Sequence, residues 1–208
     1  MFAESITFED AIKITHLRGK LMQSSEEGKM MAILGLDSEI IDEVCSKINE
    51  SNEKAYVASA NYNSMKQTVI AGNIEGIEIA NNLLPGIGAK RCIELNVSIA
   101  SHSRLMTDAA DEFNESLQKI GFSHPRYPII QNYTGEIVTD LSSIKQNLLN
   151  QLTEPVLWTK TMKKISNSAS GLIEIGPKNI LCGLSKGYDL ENILYMADLN
   201  FIDKVQNI

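Results

Sequence analysis

The sequence is poor in the features that mark several common protein classes. Its three cysteines, Cys45, Cys92 and Cys182, are odd in number and far apart, and none forms the C-x-x-C pair that a structural zinc site or a redox motif uses. Neither a disulfide framework nor a metal site is expected, and a reducing cytoplasm suits the chain best. Basic residues are outnumbered, 19 against 26 acidic ones, for a net charge of -7. That balance supplies no electrostatic footprint for a nucleic-acid backbone or an anionic membrane, so neither is expected as a partner. No apolar run reaches membrane-spanning length, and residues 1–10 lack the basic and apolar regions of a secretory signal. Internal repeats and low-complexity tracts are not visible.

What the sequence does hold is 208 residues, 43% of them apolar, enough for one substantial core or a core with an inserted lobe. Thr7-Phe8-Glu9-Asp10 reads as a capping box. It opens a helix to Gln23 whose Ala11, Ile14, Leu17, Leu21 and Met22 share one arc. A chain that begins so abruptly is read as having lost something upstream. Residues 30–36 form an apolar strand, and Asp37 and Ser38 cap a helix carrying Ile40, Ile41, Val44 and Ile48. Strands at 56–62 and 67–71 flank a hairpin at 63–66, and a helix at 74–84 is expected to stop at Pro85-Gly86-Ile87-Gly88. Residues 90–97 alternate Cys92, Glu94 and Asn96 against Ile93, Leu95 and Val97, as a half-buried strand does.

The resulting β-α-β-β-α-β order is that of a ferredoxin-like lobe. Beyond Ser98 the pattern becomes helix (105–120), strand (127–133), helices (142–152 and 158–166), strand (172–175) and helix (179–186), an α/β layering. The expected organisation is a larger α/β domain built from residues 1–27 and 98–208, interrupted by a ferredoxin-like small subdomain at 28–97.

Arg18 sits inside the apolar stripe of the first helix. Either its stem packs on the core while the guanidinium reaches out, or the guanidinium is a planar fork for a substrate carboxylate. His102, in Ser98-Ile99-Ala100-Ser101-His102-Ser103, lies at a strand-to-helix junction, where the helix macrodipole would keep imidazole neutral and able to accept a proton. The alternative is a helix-start histidine satisfied by backbone. His16 and His124 read as solvated. Asn61, Asn63 and Gln67 bracket the hairpin, as amides satisfying turn backbone or lining a substrate cleft. Residues 171–183 place a Gly-Pro turn between a strand and a helix.

Five ordered segments together resemble the standalone acyltransferases of fatty-acid biosynthesis, the malonyl-CoA:acyl carrier protein transacylases. They are LRGKLMQ around Arg18, NYNSMKQTVIAG from Asn61, SIASHSRLM around His102, NQLTEPVLWT from Asn150 and EIGPKNILCGL from Glu174. The resemblance runs from about Ile6 to Leu199, and it implies an α/β-hydrolase-like acyltransferase core, here incomplete, with a ferredoxin-like insertion. In that family a serine in a G-x-S-x-G elbow takes malonate from coenzyme A as an ester and passes it to the phosphopantetheine thiol of acyl carrier protein. By resemblance His102 is the catalytic base, Arg18 binds the malonyl carboxylate, and the main-chain carbonyl of Gln151 orients the histidine. Malonyl-CoA and acyl carrier protein are the implied partners, and no cofactor is implied beyond the coenzyme A and phosphopantetheine carried by the substrates.

No G-x-S-x-G elbow is read anywhere in the sequence, so no nucleophile is assigned in this chain, and the chain alone is expected to be inactive. Three readings follow: an enzyme whose serine comes from a separate N-terminal chain, a decayed product, or a non-catalytic remnant that holds acyl carrier protein or a coenzyme A ester. Cys92 and Ser103 lack a visible activating base, and Ile99-Ala100-Ser101-His102 leaves malonyl and branched malonyl groups both open.

Overall fold

The computed structural model describes residues 3–206. Helix α1 (Phe8–Gln23) starts where the Thr7 side chain accepts from the Asp10 amide at 3.1 Å, which satisfies one of the free donors of the first turn. Its Leu17, Leu21 and Met22 pack with Met106, Phe113, Leu117 and Leu152 in one apolar cluster, so the first helix lies against a helix about ninety residues later, α4 (Thr107–Leu117).

Between them stands an antiparallel sheet of β1 (Lys29–Leu34), β2 (Val57–Ser64), β3 (Gln67–Gly72) and β4 (Arg91–Glu94), in the order β2-β3-β1-β4. Helices α2 (Ser38–Ser51) and α3 (Ile74–Ile87) cover one face, where Met31, Ile33, Val57 and Ile70 meet Ile41, Val44, Ile48, Ile77 and Leu84. Alternation along β1 sends Met30 and Ala32 to the opposite face, against Val69, Ala71 and Ala100. The chain enters and leaves this unit side by side: the Gly28 amide donates to the Ser98 carbonyl, and Glu27 bridges Ile99.

The structure corrects several expectations. Helix α3 does not stop at Pro85 but runs on to Ile87 and ends on Gly88, whose φ of 112° is the left-handed cap conformation. A proline so near the end removes only one of the helix's hydrogen bonds, and tertiary packing of Leu84 holds the turn. Strand β4 is shorter than 90–97, and of its apolar set only Leu95 packs inward, on the sheet face away from the helices. Ile93 and Val97 are each 44% exposed, while Cys92 packs on the core. The reason is register, since Cys92 pairs with the inward-facing Ile33 and Ile93 with Ala32 on the other face. The hairpin loop is also tighter, with Ser64 and Gln67 already paired.

The rest comprises the hairpin β5 (Ile129–Gln131) and β6 (Glu136–Val138), helices α5 (Leu141–Asn150) and α6 (Trp158–Ser166), and a parallel pair of β7 (Gly171–Glu174) with β8 (Asn192–Tyr195). Helix α7 (Ile180–Ser185) joins that pair, and α8 (Phe201–Gln206) follows. Strands β6 and β8 and helix α8 have no counterpart in the sequence reading. Among the described residues no helix is long and apolar enough to cross a membrane.

Gly76, in the first turn of α3, comes so close to the Tyr56 carbonyl that an added Cβ would lie 2.2 Å from its oxygen. Gly76→Ala is therefore expected to destabilise the chain by about 1–3 kcal/mol, despite alanine's better helix propensity. A lower urea midpoint with an unchanged slope would show it.

Candidate active site

His102 leaves the sheet region through an isolated bridge at Ile99 and turns into a short 3-10 segment, Arg104–Met106, that feeds α4. Its φ is 60°, a left-handed conformation uncommon for a residue with a side chain. Neighbours hold that turn on both sides. The Ser103 hydroxyl donates back to the Ala100 carbonyl at 2.6 Å, and the Arg104 amide donates to the Tyr56 hydroxyl at 3.2 Å. The Arg104 guanidinium also stacks 3.9 Å over the Tyr56 ring.

Nδ1 of His102 meets the main-chain carbonyl of Gln151 at 2.6 Å. A carbonyl only accepts, so Nδ1 carries the proton and Nε2 is left with a free lone pair. Gln151 is the C-cap of α5, and a helix C-terminus favours a developing imidazolium. Burial still dominates the resting state: it lowers the His102 pKa, the Gln151 bond pulls the other way, and the Arg18 charge lowers it again. The expectation that a helix N-terminus keeps His102 neutral is thus corrected in its cause. The imidazole is favoured as neutral because it is desolvated, and the helix end that it touches is a C-terminus.

Arg18 reaches the same residue from α1. Its Nη2 donates to the side-chain oxygen of Gln151 at 3.0 Å, whereas Nε is buried without an acceptor. Its pKa is lowered by burial, with no carboxylate offsetting the effect. One glutamine, 9% exposed, thus connects the histidine through its main chain and the arginine through its side chain. Only the main-chain half of that arrangement was expected from the sequence. No periodicity signals the side-chain half, because it joins residues 133 apart.

His102, Arg104, Tyr56, Thr153, Glu154 and Pro155 are among the residues around a cavity of about 380 Å³. Asn61, Asn63 and Gln67 are not among its lining residues. They lie along the β2–β3 hairpin, where Asn61 bridges Val156. His16 and His124 are exposed, as expected. No group of three or more metal-ligating side chains occurs among the described residues.

The expectation that no G-x-S-x-G occurs is corrected: its letters stand once, as Gly183-Leu184-Ser185-Lys186-Gly187, and their setting settles what they are. Ser185 ends α7 with 0% exposure, its hydroxyl donating to the Leu181 carbonyl at 2.7 Å. A nucleophile elbow instead places its serine, exposed, between a strand and a following helix. The match is one of spelling, and Ser185 is a structural residue.

The acyl transferase domain family matches residues 1–193. The malonyl CoA-acyl carrier protein transacylase of Salmonella typhimurium is 40% identical over 185 residues, which cover 87% of this chain and 59% of that protein. Among solved structures, FabD from Acinetobacter baumannii superposes with a TM-score of 0.93 at 35% identity, covering 99% of this chain and 66% of the other. A malonyl-transacylase in complex with its type II PKS acyl-carrier protein gives 0.89 at 36% identity, covering 99% and 68%. The chain therefore spans about three fifths of the length of the curated relative it matches.

Proposed function

The chain belongs to the acyl transferase domain family, among the malonyl-CoA:acyl carrier protein transacylases, and from that premise we propose that it supplies the base and the carboxylate clamp for malonyl transfer. The substrates are malonyl-CoA and the phosphopantetheine thiol of acyl carrier protein, in fatty-acid biosynthesis in the cytoplasm. The observation that carries this reading is Gln151 joined to both His102 and Arg18. A proton acceptor and an unneutralised guanidinium meet at one point, as transfer of an acyl group with a free carboxylate requires.

In this reading a serine supplied from outside these 208 residues gives its proton to Nε2 of His102 as its oxygen attacks the thioester carbonyl. The carbon–sulfur bond breaks, and the coenzyme A thiolate leaves with the proton from the imidazolium. The phosphopantetheine thiol then repeats the cycle in reverse, His102 taking its proton while the thiolate attacks the seryl ester. Arg18 holds the malonyl carboxylate throughout, and the carbonyl at the end of α5 steadies each imidazolium. No cofactor takes part. The complex of a related malonyl-transacylase with its acyl-carrier protein supports the choice of acceptor. We read the β2-β3-β1-β4 unit as a ferredoxin-like lobe at 28–97 inserted into an acyltransferase core formed by 1–27 and 98–208.

The test is transfer of labelled malonate from coenzyme A to acyl carrier protein, with this chain alone and with a complementary segment bearing the serine elbow. Transfer only in the mixture is the expected result. A folded mixture that binds acyl carrier protein without turnover would replace this reading with that of a holding protein.

A further inference from the structure

The main chain of Gln151 holds His102, which leaves its side chain to act separately. The amide oxygen accepts from one edge of the Arg18 guanidinium at 3.0 Å, inside a part-buried setting. Among the described residues no carboxylate pairs with that cation: Nε has no acceptor, and burial alone bears on its ionisation. The identity of the acceptor therefore matters. A neutral amide fixes the direction of the planar fork without consuming its charge. A carboxylate in the same place would form an internal ion pair and compete with any acidic acyl group that enters.

We infer that the Gln151 side chain is a positioning residue for acyl selection: it anchors one edge of Arg18 and keeps the guanidinium charge open to a substrate carboxylate. The inference rests on the malonyl-transfer reading and deepens it. Because the same residue orients His102, clamp and base share one origin at the end of α5. The distance between the bound carboxylate and the reacting carbonyl is then set by a single buried residue rather than by two independent segments.

The experiment uses this chain combined with the serine-bearing segment, and compares malonyl-CoA with acetyl-CoA in the wild type, Gln151→Glu and Gln151→Met. Both substitutions keep the side-chain length and leave the main-chain carbonyl on His102. In each, the malonyl-to-acetyl ratio of kcat/KM is expected to fall about tenfold or more, chiefly through the malonyl KM, because a hydrogen bond to a charged group is lost or an internal counter-charge is gained. Gln151→Glu, nearly identical in shape and still a hydrogen-bond acceptor, keeps the test valid should the apolar variant misfold. A ratio unchanged within about twofold, or an equal fall in kcat for both acyl groups, overturns the inference while malonyl transfer stands. A wild-type mixture that transfers no malonate overturns both.

Discussion

Replacing His102 by alanine in the assembled enzyme is expected to lower malonyl transfer by about 10²–10⁴-fold, the range that a positioned general base contributes. On the malonyl-transfer reading the loss falls on kcat, since the ring would meet the reacting proton and not the substrate's carboxylate. Because the backbone there has a φ of 60°, His102→Asn is the better second variant: asparagine tolerates left-handed geometry and cannot act as the base. Equal losses in both would separate chemistry from strain. The acid side of the pH profile follows from burial. His102 titrates below its ordinary 6.5, so the base form is already present at neutral pH and transfer declines only on the acid side of about 6.5. Stability carries the same sign. Below about 6.5 the unfolded histidine binds a proton before the folded one does, so stability present above that pH is lost as pH falls through the folded value. The urea midpoint of the wild type should therefore drop more between about pH 7.5 and about pH 5.5 than that of His102→Asn. A transfer rate unaffected by either substitution would remove His102 from the chemistry.

The parts of the fold that sequence reveals are those where one element dictates its own pattern. Thr7 with Asp10 marks the start of α1, and β1 falls within two residues of the apolar run at 30–36. What escapes is decided between elements. Cys92 faces inward because its partner Ile33 does, which no local alternation within residues 90–97 can state. Pro85 stays helical because Leu84 is anchored in the core and Gly88 closes the turn. Strands β6 and β8 are three and four residues long, too short to show a period. The site divides in the same way. Arg18 stands out as a charge in an apolar stripe and His102 as an imidazole at a junction, so both are legible alone. Gln151 is legible only as a position within a resembling segment, because its two bonds reach residues 49 and 133 away. Ser185 shows the converse: a motif by spelling, buried at the end of a helix where no acyl group can reach it.

Arg18→Met is expected to separate selection from stability. In the assembled enzyme kcat/KM for malonyl-CoA should fall by about 10²-fold or more, the cost of leaving a carboxylate without its buried partner. Acetyl-CoA, which has no carboxylate to place, should lose far less, so the preference between the two narrows or inverts. The folded chain, however, gives up little. Arg18 is a partly buried cation with one side-chain acceptor and an orphaned Nε, on the same helix α1 as the packed Ile14, Leu17, Leu21 and Met22. An uncompensated buried charge opposes folding, and methionine keeps the apolar stem while removing the charge. The substitution should thus leave stability unchanged or raise it by about 0.5–2 kcal/mol, as happens where a residue is kept for function at the expense of the fold. Malonyl kinetics and urea denaturation on the same variant decide the matter. Lost malonyl selectivity with preserved stability identifies Arg18 as the clamp for an anionic acyl group, whereas equal losses for both acyl groups with a falling midpoint would make it a packing residue of α1.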